Sequence, residues 1–377
     1  MHLLADENMP LLSEFFAGLG ELRLMPGRQM AAVDVHAAEI LLVRSVTEVS
    51  RELVHDSALR WVGTATIGTD HIDKSALQEQ GITLASAPGC NARAVGEYVT
   101  TALVMLAYEQ GWRPEQKTLG IVGLGNTGRA VAALAATLGF RLVGCDPAVQ
   151  LPGIPMRTMS ELLAEADIIS LHVPLQKEGA YATHHLLGAT ELMALAPGSI
   201  VINCSRGSVV DNTALHQHLL AHPGRLTAIL DVWEGEPRVS AALLEQVHTA
   251  SPHVAGYSQE GKWRGTAMLY EQLCDFLGRP AVLSLEVLQP AELPAALQVD
   301  AKLSVPAVLA AVLMQACPMR RDDAALRASM AAADPAAAFD ALRKHYPPRR
   351  EFTAHRVLLP AAHPAWPLLA ALGFQPA

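Results

Sequence analysis

Cysteine is scarce in this sequence, which argues against a disulfide-stabilised protein and against a zinc-binding module. The 377-residue chain has only five cysteines, an odd number, and no two of them form a CxxC pair. A disulfide framework or a zinc module needs more cysteines at closer spacings. We therefore expect a protein of a reducing compartment, the cytoplasm, and no metal site.

Basic charge and long apolar runs are also scarce. Charged residues make up 17% of the chain, and the formal net charge is −9. This acidic balance disfavours general binding to nucleic acid. No uninterrupted apolar run approaches the ~20 residues of a membrane span, and the opening MHLLADENMP has acids where a secretion signal has basic residues. We expect a small-molecule partner, no nucleic acid and no membrane.

What the chain has instead is a repeated alternation of short apolar strands and helical segments. This alternation predicts an α/β protein with parallel sheets, and the length suggests two or three domains. We predict a doubly wound Rossmann domain over residues 93–254 and a flavodoxin-like lobe formed by residues 1–92 and 255–280. The proline- and alanine-rich segment 281–377 is predicted to be a small separate α/β domain.

A glycine-rich turn lies at the centre of the predicted Rossmann domain. An apolar strand leads into Gly123, Gly125 and Gly128 in G-x-G-x-x-G spacing, a helix follows, and the next strand ends on Asp146. The glycines allow a tight turn, a close approach to a pyrophosphate and close packing of the helix. Asp146 is placed to bind ribose hydroxyls and would repel a 2′-phosphate, which favours NAD over NADP. A flavin site or a vestigial site would show the same pattern.

Three later strand ends carry residues suited to acid–base chemistry. Arg206 follows the strand ending at Asn203, and arginine binds a carboxylate with two parallel hydrogen bonds. Glu236 follows another strand, and His253 follows a third. Histidine is the commonest general acid–base, and a carboxylate on its second ring nitrogen would fix its tautomer. Taken singly, each of these residues could equally be structural.

Together these stretches resemble one family. GLGNTGR, HVPL at residues 172–175, NCSRG, LDVWEGEP and SPHVAG occur in the order and at about the spacings of the D-isomer-specific 2-hydroxyacid dehydrogenases. The resemblance covers about residues 1–280. It implies that Arg206 holds the substrate carboxylate, that His253 exchanges the hydroxyl proton and that Glu236 orients and charges His253.

The resemblance also implies a set of NAD contacts. Asp231 is expected near the nicotinamide ribose. Relatives often have threonine at position 173, and because Val173 lacks the hydroxyl group, we expect it to contact NAD through its backbone. The full set of expected NAD-binding residues is Gly123, Gly125, Asn126, Thr127, Gly128, Asp146, Val173, Pro174, Asp231 and Gly256.

Further stretches are similar to one branch of this family, which has an additional C-terminal domain and acts on a small phosphorylated 2-hydroxy acid. These stretches are LLADENMP, VRSVT, GTATIGTDHID, APGCNA, AGYSQEGKWRGT and the RRDD of the tail. The similarity implies that Ser45, Thr66 and Tyr257 contact the substrate and that the tail forms a homodimer. Position and charge make Arg44 our predicted phosphate contact.

Two alternatives stay open at this point. One is a dehydrogenase or reductase for another D-2-hydroxy acid, such as 3-phosphoglycerate or hydroxypyruvate. The other is a binding protein that senses NADH without turning over a substrate.

Overall fold

Parallel β-sheets form the framework of the computed structural model, which describes all residues from Met1 to Ala377. The chain divides into two units, Met1–Asn91 with Ser258–Glu292, and Ala92–Tyr257 with Leu293–Ala377. The predicted α/β class is confirmed. The predicted third domain stays a prediction, because most of that segment is grouped here with the second unit. No helix combines the length and the apolar character needed to cross a membrane.

The first unit contains a five-stranded sheet in the order β2-β1-β3-β4-β5, with all neighbours parallel. This is the flavodoxin-like order that we predicted. Its elements are β1 (His2–Asp6), α1 (Leu12–Phe16), β2 (Glu21–Met25), α2 (Ala32–Val35), β3 (Ile40–Val43), α3 (Arg51–Val54), β4 (Trp61–Thr64), α4 (Lys74–Glu79) and β5 (Thr83–Ser86), with 3-10 turns at Ala17–Leu19 and Gly27–Gln29.

The central strands of this sheet are wholly buried. The ILLV sequence of β3 and the WVGT sequence of β4 have no exposed residue, as expected for parallel strands that are covered on both faces. The predicted helix over residues 11–19 is shorter in the structure. It continues beyond Phe16 only as a 3-10 turn, and this turn contains Gly18, a poor helix former.

The second unit begins with a long buried helix and a six-stranded parallel sheet in the order β7-β6-β8-β9-β10-β11. Its elements up to residue 257 are α5 (Ala92–Gln110), β6 (Thr118–Val122), α6 (Asn126–Thr137), β7 (Arg141–Cys145), α7 (Met159–Glu165), β8 (Ile168–Leu171), α8 (Ala189–Ala194), β9 (Ser199–Asn203), α9 (Asn212–Ala221), β10 (Leu226–Leu230), α10 (Ala241–Gln246) and β11 (Thr249–Ala250), with 3-10 turns at Pro114–Gln116 and Gly207–Val209.

The strand order of this sheet is that of a Rossmann domain with a very short third strand. An isolated parallel bridge joins Gly144 of β7 to Met156. If Met156 is counted as the third strand, the order becomes the Rossmann order 3-2-1-4-5-6 with β11 added at the far edge. The predicted doubly wound domain is therefore present.

The chain then returns to the first unit and finally to the second. The remaining elements are α11 (Gln259–Phe276), α12 (Leu285–Leu288), β12 (Leu297–Gln298), α13 (Val305–Ala316), α14 (Met319–Ser329), α15 (Pro335–Lys344), β13 (Arg356–Leu358), α16 (Trp366–Leu372) and β14 (Gln375–Pro376), with a 3-10 turn at Phe352–Ala354. The last three strands form a small parallel sheet in the order β12-β13-β14. The predicted strand over residues 352–359 is thus a 3-10 turn followed by three strand residues.

Residues after 293 share a hydrophobic core with α5 and α6. Val99 of α5 and Val308 of α13 are both fully buried in this core, which also contains Phe352. Arg349 is buried, and its Nη2 donates to Ala94 O and Ala255 O at 3.3 and 2.5 Å. The C-terminal segment is therefore fixed to the Rossmann domain of its own chain by core packing and by buried hydrogen bonds.

Glu97 of α5 lies within this packed region. Its Oε1 accepts hydrogen bonds from Phe352 N at 3.0 Å and from Arg93 Nε at 2.7 Å. Burial, and then the nearby charge of Glu351, raise the pKa of Glu97 to about 8 despite Arg93. The folded protein therefore holds this carboxyl protonated at neutral pH, whereas in the unfolded chain it ionises near a pKa of ~4.3.

We expect Glu97→Gln to flatten the pH dependence of stability. Between pH ~4.3 and about 8 the folded state binds the Glu97 proton and the unfolded state does not, so stability falls as the pH rises through this range. The slope from this one group is at most about 1.4 kcal/mol per pH unit. Urea midpoints between pH 5 and 8.5 would measure it. Glu178→Gln, at an exposed loop position, is the control. Parallel curves for wild type and Glu97→Gln would contradict the expectation.

Candidate active site

The glycine turn joins β6 to α6 and needs its glycines for steric reasons. Gly123 has a φ of +88°, in the left-handed region, and its N–H donates to Cys145 O at 2.9 Å. A Cβ on Gly128 would lie 1.9 Å from Gly123 O. The turn and the first turn of the helix can approach this closely only because both residues lack a side chain.

Space for a phosphate group lies at the start of α6. Gly125 is the N-cap of this 12-residue helix, and a Cβ on it would meet no atom within 4 Å. Asn126 and Thr127 form the first turn, where backbone N–H groups have no partner within the helix and the helix dipole is positive. These residues fit a dinucleotide pyrophosphate.

Asp146 lies directly beyond β7 and is held rigidly. Its Oδ2 accepts from Leu124 N at 2.7 Å, and its Oδ1 accepts from Ala148 N and Val149 N, both at 2.9 Å. A carboxylate has about four acceptor positions, so accepting capacity remains for a ribose hydroxyl. Fixing the carboxylate by backbone donors gives it one orientation beside the glycine turn.

The HVPL segment runs beside the same turn. A Cβ on Gly123 would lie 2.6 Å from His172 O and 2.9 Å from Val173 Cγ1, and Pro174 follows on the exposed side. His172 itself is buried, and burial lowers its pKa to about 3. Its Nε2 lies 2.8 Å from Ser170 Oγ. Burial therefore favours the neutral form of this histidine at neutral pH.

Arg206 is presented by a braced loop after β9. Asn203 Oδ1 accepts from Ser205 N and Ser205 Oγ, and Asn203 Nδ2 donates to Arg206 O at 3.0 Å. A Cβ on Gly207 would lie 1.9 Å from the carbonyl carbon of Trp233. The missing side chain at residue 207 therefore lets the arginine loop lie against the loop that carries Glu236.

Glu236 and His253 form a direct pair. Glu236 Oε2 lies 2.8 Å from His253 Nδ1, and Glu236 Oε1 accepts from Trp233 N, also at 2.8 Å. Burial alone would raise the pKa of Glu236, but the charge and hydrogen bond of His253, the Trp233 amide and Arg343 together hold it below the usual value. An ionised Glu236 accepts from Nδ1 and leaves Nε2 as the basic nitrogen.

The backbone at His253 is held in an uncommon conformation. Its φ is +58°, in the left-handed region, where a non-glycine residue is disfavoured. Asp231 Oδ1 accepts from Ser251 Oγ at 2.6 Å, Val254 N at 2.7 Å and Ala255 N at 3.0 Å, and His253 N donates to Asp231 O. Burial raises the pKa of Asp231 even though these donors and His253 oppose it. Asp231 thus anchors the residues on both sides of the histidine.

The predicted substrate residues lie in two parts of the chain. Arg44 and Ser45 follow β3, and Thr66 follows β4, at the carboxyl edge of the first unit's sheet. Arg44 is bonded through Nε to Asp6 Oδ2 at 2.9 Å, whereas Ser45 is exposed. In the second unit, the ring of Tyr257 packs edge-on against Tyr346 of the C-terminal segment, with 5.7 Å between the ring centroids.

One histidine cluster escaped the sequence analysis. His184 and His185 stack with 3.9 Å between ring centroids, and His185 Nε2 lies 2.8 Å from Glu234 Oε1. The ligand atoms of these three residues lie within 4.8 Å of one another. The hydrogen bond to Glu234 accounts for the position of His185, and our prediction remains that the enzyme uses no metal.

A nucleotide-binding turn, an arginine on a braced loop and a histidine–carboxylate pair define the class of NAD-dependent dehydrogenases. Residues 98–255 match the family model described as "D-isomer specific 2-hydroxyacid dehydrogenase, NAD binding domain", and residues 287–373 match a domain of unknown function (DUF3410). The chain belongs to the D-isomer specific 2-hydroxyacid dehydrogenase family.

Relatives with high sequence identity indicate to which branch of the family the chain is most similar. The erythronate-4-phosphate dehydrogenase of Pseudomonas savastanoi pv. phaseolicola is 48% identical over 88% of this chain and 87% of its own length. The enzyme of the same name from Ectopseudomonas mendocina is 45% identical over 88% of this chain and 87% of its own length. The predicted resemblance to this branch is confirmed.

Solved structures show the same fold at lower identity. The Aquifex aeolicus D-lactate dehydrogenase, solved with NAD and lactic acid, has a TM-score of 0.64 and 24% identity over 74% of this chain and 96% of its own. The NAD-bound 3-phosphoglycerate dehydrogenase of Entamoeba histolytica has a TM-score of 0.65 and 23% identity over 74% and 95%. The predicted cofactor, NAD, is confirmed, and the contacts of individual residues with it stay predictions.

Alanine at two glycines should separate the folding role from the NAD-binding role. We expect Gly128→Ala to lower both the melting temperature and NADH affinity, because its Cβ would clash with Gly123 O. Gly125→Ala should melt as wild type does and bind NADH at least tenfold more weakly, because its methyl group fills only the space proposed for the pyrophosphate. Thermal melts and NADH fluorescence titrations measure both. Wild-type affinity in Gly125→Ala would contradict the proposed pyrophosphate position.

Proposed function

We propose that this protein oxidises 4-phospho-D-erythronate to (R)-3-hydroxy-2-oxo-4-phosphooxybutanoate with NAD, a step in the biosynthesis of pyridoxal 5′-phosphate (vitamin B6). The 45–48% identity to erythronate-4-phosphate dehydrogenases supports the substrate. The single structural observation that carries the chemistry is the 2.8 Å contact between Glu236 Oε2 and His253 Nδ1, on loops that also border Arg206.

Three side chains divide the work in this proposal. The guanidinium of Arg206 binds the substrate carboxylate with two hydrogen bonds and so fixes C2. His253 Nε2 removes the proton of the C2 hydroxyl, and Glu236 stabilises the imidazolium that forms. The chemistry that NAD supplies when bound is acceptance of the hydride from C2. In the reverse direction the same histidine returns the proton to the ketone oxygen.

The other predicted residues have supporting roles in the proposal. Ser45, Thr66 and Tyr257 contact the substrate, and Asp231 lies near the nicotinamide ribose. Arg44 remains a candidate phosphate contact. Its pairing with buried Asp6 weakens that candidacy, because Nε and Nη2 both point to this carboxylate. An unchanged KM for the phosphorylated substrate in Arg44→Ala would remove it from the site.

Assembly and location complete the proposal. We place the enzyme in the reducing cytoplasm, in keeping with five cysteines of which none is in a disulfide. The C-terminal segment is proposed to form a homodimer, and large apolar side chains exposed at Leu293, Leu303 and Leu358 support an interface there. The molar mass in solution, measured by light scattering, tests the dimer.

A single-turnover assay is the direct test of substrate identity. With enzyme and NAD at comparable concentrations, we expect a burst of NADH absorbance on adding 4-phospho-D-erythronate and none with 3-phosphoglycerate. Stoichiometric enzyme is needed because tightly held NADH would hide activity in a dilute steady-state assay. A burst with 3-phosphoglycerate alone, or reduction of hydroxypyruvate alone, would assign another hydroxy acid. NADH binding without turnover of any acid would indicate a sensor.

His253→Asn should remove the chemistry and leave the cofactor site intact. Because the histidine acts on the hydroxyl proton, we expect the single-turnover rate to fall by about 10²-fold or more. NADH affinity, measured by fluorescence, should stay within about threefold of wild type. Glu236→Gln is the companion variant, because it keeps the side-chain shape but not the charge. Loss of NADH binding together with activity would show that the variant is misfolded or that the role is wrong.

A further inference from the structure

Helix α15 of the C-terminal segment shares a hydrophobic cluster with the loop that carries the catalytic glutamate. Phe339 is fully buried in the same hydrophobic cluster as Trp233, and Leu342 packs against that cluster. Arg343 follows Phe339 by four residues, so its side chain leaves the helix on the same side. Just after the helix, Tyr346 contacts the ring of Tyr257. Two neighbouring parts of the C-terminal segment therefore reach the site residues of the same chain.

Arg343 is a half-buried cation beside Tyr257 and Glu236. Burial lowers the pKa of Arg343, but the hydrogen bond with Tyr257 and the nearby carboxylates of Glu236 and Asp340 outweigh it and raise this pKa above the usual value. Its Nε is buried and has no hydrogen-bond partner. A buried N–H without an acceptor is unfavourable, so structural stability alone does not explain this side chain.

The charges of the proposed substrate show which group Arg343 suits. The substrate carries a carboxylate at one end and a phosphate at the other. Arg206 is assigned to the carboxylate, and Arg44 already shares two of its nitrogens with Asp6. In Arg343, by contrast, the Nε–H group has no hydrogen-bond partner. The same side chain is hydrogen-bonded to Tyr257, a predicted substrate contact. A guanidinium matches the spacing of phosphate oxygens.

We propose that Arg343 binds the substrate phosphate and that the C-terminal domain is thereby part of the active site of its own chain. This inference rests on the proposed function, which supplies the phosphorylated substrate. It gives the domain of unknown function a chemical task that is separate from the proposed dimer contact. Tyr257, through its hydrogen bond, positions the guanidinium.

The test compares substrates with and without the phosphate. Single-turnover kcat/KM is measured with 4-phospho-D-erythronate and with D-erythronate for wild type, Arg343→Gln, Arg343→Lys and Lys344→Gln. The last variant is the matched control, because it removes the same charge from an exposed position on the same helix. We expect Arg343→Gln to lower kcat/KM for the phosphorylated acid by about 10- to 100-fold, mainly through KM, and to change it less than about threefold for D-erythronate. For the phosphorylated acid, the kcat/KM of Arg343→Lys should lie between those of wild type and Arg343→Gln. Lys344→Gln should match wild type on both substrates.

A different pattern would overturn the inference. Equal losses on both substrates, with a shifted pH profile of kcat, would mean that Arg343 acts only through Glu236. An unchanged ratio of the two kcat/KM values would mean that it has no role in phosphate binding. Melting temperature and NADH affinity show whether each variant is folded. If Arg343→Gln is not, Arg343→Lys keeps the charge, and its inhibition constant for inorganic phosphate must rise for the proposal to survive.

Failure of the proposed function can be told apart from failure of this inference. If wild type does not turn over 4-phospho-D-erythronate, the proposed function fails, and the anion site is then tested with inorganic phosphate alone. A phosphate-induced rise in melting temperature in wild type and Lys344→Gln, absent in Arg343→Gln, would retain the site. Equal rises in all three proteins, or no rise in any, would reject it.

Discussion

The hydrogen bonds of a single carboxylate oxygen hold the chain around His253 in place. Asp231 Oδ1 accepts from one hydroxyl and two backbone amides, and its own main-chain oxygen accepts from His253 N. These bonds fix the chain before and after His253, so the left-handed backbone at that residue is imposed by its surroundings. With this backbone, His253 Nδ1 lies 2.8 Å from Glu236 Oε2. The geometry of the histidine–glutamate pair thus rests on a second, fully buried acid, Asp231.

The same region couples the catalytic loops to the C-terminal segment. Tyr98 of α5 shares a hydrogen bond with Ser251, which in turn donates to Asp231. Arg349, far along the chain, donates to Ala255 O, two residues after His253. Buried polar groups that satisfy one another in this way define one arrangement of a site. The C-terminal segment thus belongs to the scaffold that holds His253.

Local sequence patterns predicted most of the framework. The strands at residues 141–145, 168–171 and 199–203 have the predicted bounds, because each is a short, mainly apolar run followed by a polar residue or loop. The two-residue strands of the tail were missed, since a pairing of two residues leaves no periodicity to read. The prediction that Glu236 and His253 act together came from family resemblance, and the structure brings them together.

Other features depended on contacts that no local pattern records. The pairing of Arg44 with Asp6 joins residues 38 positions apart on neighbouring strands. Arg343 lies on an alanine-rich amphipathic helix whose sequence resembles any surface helix. Its position beside Glu236 and Tyr257 became clear only from the three-dimensional structure. The three backbone N–H groups that donate to Asp146 likewise depend on the turn geometry beyond the strand.

The shared core of α5 and α13 also limits how the chain can be shortened. The face of α5 that carries Val95, Val99 and Ala102 is apolar and is covered with the help of residues after 293. A chain without that segment would need polar residues on this face, or another apolar surface to cover it, to remain dispersed in water. Deletion of residues 293–377 alone would leave this face of α5 partly uncovered and prone to aggregation.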